Sequence, residues 1–219
     1  GKHRTKPTIA LWGDSHAGSF VSGFENQLGD KWNIWSRSSG SCLANGITGS
    51  DQPQVTCDYN NNAVFSDIIK NKPDKVILAG CWNCYSSEDN FFKLKILIKK
   101  LKTNGINDII VLGPVPVWND LLPDIIRREY LVRNNLIKRI NVDNRYFQFD
   151  RSMEKFVTDL NIKYISIASL VCNKEGCLTL ANDSVKSLLY FDRHHLTEIG
   201  SNYVVSLFKD DPLFQANKP

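Results

Sequence analysis

The sequence lacks any apolar run long enough to cross a membrane, and no apolar leader stands at its start. The two longest uncharged apolar runs, residues 76–85 and 109–118, are about half the roughly 20 residues that a transmembrane helix requires. Hydrophobic residues make up 42% and charged residues 23% of the 219 residues, as is ordinary for a globular protein. The composition therefore predicts a soluble domain with a sizeable buried core.

The sequence also lacks a strong charge of one sign, an internal repeat and a low-complexity linker. Its 27 basic and 23 acidic residues are spread along the chain and leave a net charge of +4. The two basic pairs, Lys99-Lys100 and Arg127-Arg128, are typical of solvated helix faces, so we expect no nucleic-acid partner. Without a boundary signal, we predict one domain over residues 1–219.

Cysteine, in contrast, is well represented. The six cysteines form three pairs that are close in sequence: Cys42 and Cys57, Cys81 and Cys84, and Cys172 and Cys177. Their even number favours disulfides and an oxidising compartment, with zinc binding and thioredoxin-like redox chemistry as alternatives. Only Cys81-Trp82-Asn83-Cys84 has the Cys-x-x-Cys form that those alternatives use. We predict disulfides for the outer two pairs, and for the middle pair a disulfide and two buried thiols stay equally open.

Short apolar segments alternate with helix-like segments along the whole chain. The segments rich in β-branched residues predict buried parallel strands at residues 9–12, 32–35, 75–79, 108–112 and 163–167. Helical periodicity is found at residues 19–28, 63–71, 90–103, 121–139, 145–160 and 197–208. The irregular stretch 36–62 reads as a long loop of the kind that builds sites in α/β proteins. The alternation predicts an α/β fold, a three-layer α/β/α sandwich with about five parallel strands.

Gly13-Asp14-Ser15-His16 follows directly on the first predicted strand. Gly-Asp-Ser occurs often by chance and can be a plain turn with a capping serine, and Ala17 excludes the Gly-x-Ser-x-Gly elbow. However, a serine between a strand and a helix lies where the helix N-terminus offers N–H groups to an oxyanion. Ser15 is therefore a candidate nucleophile.

Asp192-Arg193-His194-His195 lies near the other end of the sequence, where we predict that it opens the last helix. A serine hydroxyl is a weak nucleophile until an imidazole accepts its proton, and a carboxylate holds that imidazole in one tautomer. The three-residue offset favours His195 over His194 as the partner of Asp192, because residues three apart share a helical face. The plain alternative is a capping aspartate beside two surface histidines.

Taken together, the two motifs resemble the first and last blocks of the SGNH (GDSL-like) hydrolase superfamily. More narrowly, they resemble the SGNH domain attached to acyltransferase-3 membrane proteins that O-acetylate bacterial surface polysaccharides. Further similarity, spanning nearly the whole chain, lies in the segments 11–17, 73–79 and 113–116, in the Cys42–Cys57 loop and in Cys172…Cys177 ahead of Tyr190-Phe191. The resemblance implies a flavodoxin-like strand order with the chemistry at the carboxyl ends of the strands.

The resemblance implies a role for each matching residue. Ser15 would be the nucleophile, His195 the general base and Asp192 its orienting partner. The Ser15 N–H and the N–H of Gly40, the glycine after the second strand, would bind the oxyanion. In the third block this chain departs from the usual Gly-x-Asn-Asp.

In the third block, Trp82 occupies the expected asparagine position and Asn83 follows one residue later. We therefore expect an oxyanion hole short of one ordinary donor, unless the Trp82 indole N–H or the Asn83 amide supplies it.

The resemblance further implies acetyl transfer, through an acyl-serine, to a sugar hydroxyl of a surface polysaccharide. Lipopolysaccharide O-antigen is the leading candidate for that polysaccharide. It implies a periplasmic, monomeric domain that is the C-terminal part of a longer membrane-anchored protein. The acetyl group would come from a membrane acyltransferase-3 domain, and neither cofactor nor metal would be needed. The alternatives are a free carbohydrate esterase or lipase-type hydrolase with the same triad and a non-catalytic glycan-binding module.

Overall fold

Five parallel strands form the central sheet of the computed structural model, which describes residues 6–44, 53–84 and 89–215, with the backbone alone at 53–56 and 89. The strand order is β2-β1-β3-β4-β6. The bounds are Thr8–Gly13 (β1), Asn33–Ser38 (β2), Lys75–Ala79 (β3), Ile109–Leu112 (β4) and Lys163–Ile165 (β6). Strands β1, β3 and β4 are buried throughout, as their continuous apolar runs require. The predicted parallel sheet and its flavodoxin-like order are confirmed.

The helices cover both faces of this sheet. Their bounds are Ser15–Ser19 (α1), Val21–Leu28 (α2), Pro53–Asn71 (α3), Asp89–Thr103 (α4), Leu122–Arg133 (α5), Asn144–Asp159 (α6), Ile167–Val171 (α7) and Glu198–Ser206 (α8). Among the described residues, no helix is both long and apolar enough to cross a membrane.

Alternate residues of β1 separate the two halves of the core. Ile9 and Leu11 pack with the face that carries α1, α2, α5, α7 and α8. Ala10 and Trp12 pack with the face that carries α3, α4 and α6. Since successive strand side chains point to opposite faces, one short strand contributes to both layers of the predicted sandwich.

A second, smaller sheet departs from the sequence prediction. The helix predicted over 121–139 ends at Arg133, where Asn134 adopts a left-handed conformation with φ of 50°. Arg139–Ile140 (β5) then pairs antiparallel with Gly176–Leu178 (β8), which pairs with Cys172–Asn173 (β7). Strands of two or three residues are too short to show a period, so sequence periodicity did not reveal them.

The long loop predicted over 36–62 is shorter than expected. Strand β2 extends through Ser38 and helix α3 already begins at Pro53, while residues 45–52 lie outside the described part of the chain. A disulfide joins Cys42 to Cys57 at the start of α3, and both cysteines are buried. The segment after β2 is therefore tied to the body of the domain.

Candidate active site

Ser15 stands at the junction between β1 and α1. Gly13 ends the strand, and a Cβ there would lie 1.7 Å from the Ala79 carbonyl oxygen, so only glycine permits this approach of β1 to β3. The Asp14 carboxylate caps α1 by accepting a hydrogen bond from the His16 N–H at 2.8 Å. The local sequence thus leaves the Ser15 side chain exposed at the carboxyl end of a buried strand.

Asp14 also connects two of the loops at this edge of the sheet. Its second carboxylate oxygen accepts a hydrogen bond from the Cys81 N–H at 2.9 Å. Burial raises the pKa of this carboxyl group, although the Cys81 and His16 N–H groups oppose the rise. The middle residue of Gly-Asp-Ser therefore holds the loop after β3 against the start of α1.

Asp192 and His195 meet through a turn that precedes α8. One Asp192 oxygen accepts hydrogen bonds from the N–H groups of His194 (2.8 Å) and His195 (2.7 Å). The other lies 2.6 Å from His195 Nδ1. Helix α8 begins only at Glu198, with Thr197 as its cap, so the prediction that this motif opens the helix is wrong. An aspartate that binds nearby backbone N–H groups produces the same juxtaposition.

The Ser15 hydroxyl completes a continuous chain of hydrogen bonds. Its Oγ lies 2.8 Å from His195 Nε2. Because His195 Nδ1 faces a carboxylate, Nδ1 carries the ring proton and Nε2 accepts the hydroxyl proton. The geometry thus brings together the three residues that the sequence nominated, and it permits proton transfer from Ser15 to His195.

The charge of Asp192 is held by its local hydrogen bonds. Burial acts to raise its pKa, but the two backbone N–H groups and the His195 ring outweigh this effect, so the pKa lies below its usual range. Asp192 is consequently ionised at neutral pH and can stabilise a positive charge on His195.

Besides the Ser15 N–H, three groups were considered as oxyanion donors, and they lie in different surroundings. Trp82 is 2% exposed and donates its indole N–H to the Leu112 carbonyl at 2.8 Å, so its nomination as an oxyanion donor is wrong. Gly40 lies in an exposed turn after β2, at the same edge of the sheet as Ser15. Asn83 is half-buried, with its side-chain oxygen 3.8 Å from Cys81 Sγ. Gly40 and Asn83 stay predictions.

Comparison with known proteins identifies the family of this chain. Residues 1–210 match the model of a family described as the SGNH domain fused to AT3 domains. The chain belongs to this family. A search of curated proteins found no match.

Solved structures also resemble this SGNH domain. The periplasmic domain of a lipopolysaccharide acetyltransferase from Salmonella ser. Paratyphi A is 24% identical, with a TM-score of 0.86 over 94% of this chain and 83% of that one. A carbohydrate acetylesterase from Sinorhizobium meliloti is 11% identical, with a TM-score of 0.62 over 94% and 97%. An aryl esterase from M. smegmatis is 11% identical, with a TM-score of 0.59 over 91% and 95%. At these identities the likeness establishes the shared fold.

Two further histidines of the SGNH domain lie against the triad. His16 is buried, and its Nε2 lies 2.8 Å from His194 Nδ1, with the two rings stacked at a centroid distance of 4.8 Å. The pKa of His16 is lowered to about 3, chiefly by burial and also by the neighbouring His194 and His195. With this lowered pKa, His16 is a buried, neutral residue beside the site.

Phe191 is a neighbour of the triad that the sequence did not single out. Its ring stacks on His195 at a centroid distance of 5.6 Å and an interplanar angle of 11°, while 58% of the side chain stays exposed. The sequence signal that could have revealed Phe191 is its aromatic side chain directly before Asp192. Its packing restricts the rotation of the His195 ring from the solvent side.

All three cysteine pairs of the SGNH domain are disulfide-bonded. The bonds join Cys42 to Cys57, Cys81 to Cys84, and Cys172 to Cys177. In the described part of the chain no cysteine is free. For the middle pair, which the sequence left open, the structure has the disulfide. That bond closes the loop after β3, next to Asp14 and the candidate nucleophile Ser15.

Proposed function

We propose that this SGNH domain transfers acetyl groups, through an acetyl-Ser15 intermediate, to a sugar hydroxyl of a bacterial surface polysaccharide. Lipopolysaccharide O-antigen is the acceptor that we favour. The observation that carries the proposal is the hydrogen-bonded chain from Ser15 through His195 to Asp192, with distances of 2.8 and 2.6 Å. This arrangement is the one by which a hydroxyl becomes a nucleophile at neutral pH.

In the first half of the reaction, Ser15 Oγ attacks the carbonyl carbon of the donor's acetyl group as its proton passes to His195 Nε2. Asp192 stabilises the imidazolium, and the N–H groups of Ser15 and Gly40 would bind the oxyanion. His195 then returns the proton to the leaving group of the donor. In the second half, His195 takes the proton of the sugar hydroxyl as that oxygen attacks the acetyl carbonyl. The acetyl–Oγ bond then breaks, and His195 returns the proton to Ser15 Oγ.

The family and the structural neighbours support the identity of donor and acceptor. Family members are fused to AT3 domains, which makes a membrane acyltransferase the natural source of the acetyl group. The structural neighbour from Salmonella ser. Paratyphi A is the periplasmic domain of a lipopolysaccharide acetyltransferase. We accordingly propose that residues 1–219 form one domain tethered at the periplasmic face of the inner membrane. The three disulfides suit that compartment.

The direct test is polysaccharide acetylation in cells that lack the natural gene and express either the wild-type protein or Ser15→Ala. We expect the O-acetyl signal in the NMR spectrum of the purified polysaccharide to disappear with Ser15→Ala. Ser19→Ala is the matched control, because Ser19 lies on the same helix but donates its hydroxyl to the His16 carbonyl. Full acetylation with Ser15→Ala would remove Ser15 from the mechanism.

Ester hydrolysis is the second candidate, favoured by the solvent exposure of Ser15. An acyl-enzyme open to water can lose its acetyl group, and two structural neighbours are esterases. The isolated domain, given an activated acetyl ester, separates the two functions. A transferase directs most acetyl groups to added polysaccharide, whereas an esterase releases acetate at the same rate without it. A glycan-binding module would do neither and would bind polysaccharide equally well with Ser15→Ala.

A further inference from the structure

Four side chains with metal-binding atoms converge beside the triad, and the proposed reaction uses none of them. They are Cys81 and Cys84 of the loop after β3, His16 of α1, and His194 of the turn before α8. One ligand atom from each lies within 4.8 Å of the other three. The sequence showed only the Cys-x-x-Cys half of this set, since the histidines are far from it along the chain.

We infer that these four residues form a zinc-type metal site when the Cys81–Cys84 disulfide is reduced. Two thiolates and two imidazoles are a common tetrahedral ligand set for Zn²⁺. With Zn–S distances of about 2.3 Å and Zn–N distances of about 2.0–2.1 Å, the ligand atoms need to lie roughly 3.3–3.8 Å apart. The described cluster is close to that size, so small side-chain movements suffice.

The state of His16 supports this assignment independently. Its Nδ1 is buried and has no hydrogen-bond partner among the described residues. A buried nitrogen without a partner is costly, and coordination of a metal would satisfy it.

Neighbouring groups would hold two of the ligands in place. Asp14 accepts a hydrogen bond from the Cys81 N–H, which fixes the start of the Cys-x-x-Cys loop. The Asp192 carboxylate accepts a hydrogen bond from the His194 backbone N–H, which fixes the turn that carries His194. Such supporting contacts orient metal ligands in proteins. Asp192 and His195 are engaged with Ser15 and are not part of the proposed ligand set.

Reduction of the Cys81–Cys84 disulfide precedes binding of the cation. A phosphine reductant and one water convert the disulfide into two thiols and a phosphine oxide. The divalent cation then binds the two sulfurs as thiolates, and two protons are released. Cys84 is exposed, so the reductant can reach the bond. The oxidised form, with its sulfurs bonded to each other, does not bind the cation.

Cobalt(II) is a suitable probe, because tetrahedral thiolate coordination produces intense visible bands and sulfur-to-metal charge transfer. We expect both signals when the phosphine-reduced domain is titrated with Co²⁺ without oxygen, and their loss when Zn²⁺ is added. The oxidised domain should show neither. Cys172→Ser/Cys177→Ser should retain the signals and Cys81→Ser/Cys84→Ser should lose them, although each double variant keeps four thiols.

A ligand variant and a reductant-free variant complete the experiment. His194→Asn should weaken cobalt binding at least as much as loss of a supporting contact does, about 10- to 100-fold. Cys84→Asp cannot form the middle disulfide, so it should bind Co²⁺ without reductant while the other two disulfides stay intact. The proposal is overturned if neither the reduced domain nor Cys84→Asp shows tetrahedral bands. Retention of the bands in Cys81→Ser/Cys84→Ser, or unchanged affinity in His194→Asn, would overturn it too.

Discussion

The two edges of the central sheet hold their polar groups in opposite ways. At the amino ends of the strands, the Lys75 side chain is 3% exposed and forms an ion pair with Asp108. Asp74 accepts a hydrogen bond from the Thr8 N–H at 2.7 Å. At the carboxyl ends, the Ser15 hydroxyl is exposed and lies 2.8 Å from the His195 imidazole. Charges at the first edge are matched and fixed, whereas the second edge presents a group that can react.

A cavity of about 490 Å³ lies at the amino ends of the strands, and its lining includes Lys75 and Asp108 but no triad residue. The carboxyl edge carries the first turn of α1 and the loops that follow β1, β2 and β3. Parallel strands bring such loops and helix N-termini together at one edge, which is why α/β proteins build their sites there. The candidate site is therefore recognised by its hydrogen-bonded polar side chains.

After the loss of acetylation expected for Ser15→Ala, the largest effect that we predict comes from Asp192→Asn. Without the carboxylate, His195 loses the partner that fixes its tautomer, so acetyl transfer should fall about 10⁴-fold, as in other serine triads. Turnover of an activated acetyl ester measures the rate, and thermal unfolding verifies the fold. Asp143→Asn is the matched control, because Asp143 also accepts a hydrogen bond from a backbone N–H but lies at the start of α6. An unchanged rate in Asp192→Asn would contradict the proposed triad.

The next effect concerns pH and His16. The unfolded chain protonates this histidine near pH 6.5, whereas the folded state resists protonation down to about pH 3. Stability from His16 is therefore fully present above pH 6.5 and is lost as pH falls, at about 1.4 kcal/mol per pH unit for one proton. Urea unfolding at pH 7 and pH 4.5 should show a smaller loss in His16→Gln. Equal losses in both proteins would mean that His16 is not held neutral.

Lys75→Ala, at the amino ends of the strands, should lower the stability of the domain without changing its activity. The variant removes a buried stem and leaves Asp108 unpaired, so we expect the free energy of unfolding to fall by about 2 kcal/mol. Ester turnover per folded molecule should stay unchanged. Lys155→Ala, whose side chain is 78% exposed in its ion pair with Asp159, should cost about 0.5 kcal/mol or less. A selective loss of turnover in Lys75→Ala would show that the two edges are coupled.

The smallest effect is expected for Trp82→Phe. This change removes the indole N–H and leaves the Leu112 carbonyl without its donor, at a cost of about 1 kcal/mol in unfolding free energy. Turnover of the activated ester should not change, because that N–H is not directed at the oxyanion. A drop of 10²–10³ in kcat, roughly the loss of one oxyanion donor, would reinstate Trp82 in the hole.

Much of the fold could be predicted because it depends on local patterns. The buried runs 9–12 and 75–79 lie within β1 and β3, since short, largely apolar segments are typical of strands buried on both faces. The same holds for the candidate triad residues, because a hydroxyl, a carboxylate and an imidazole are identifiable by type. The small sheet was missed, since strands β5 and β7 have two residues each and carry no measurable period.

The sequence by itself determined the strand order through its family resemblance and named Ser15, Asp192 and His195. Only the tertiary structure decided how Asp192 reaches His195, where the Trp82 indole N–H is directed, and that His16 and His194 lie beside Cys81 and Cys84. The contacts of Ser15 and His16 join the segment after β1 to the turn before α8, up to 180 residues away, and Asp14 joins that segment to the loop after β3. Local propensity carries no information about such distances. They follow from the packing of parallel strands, which brings their carboxyl ends to one edge of the sheet.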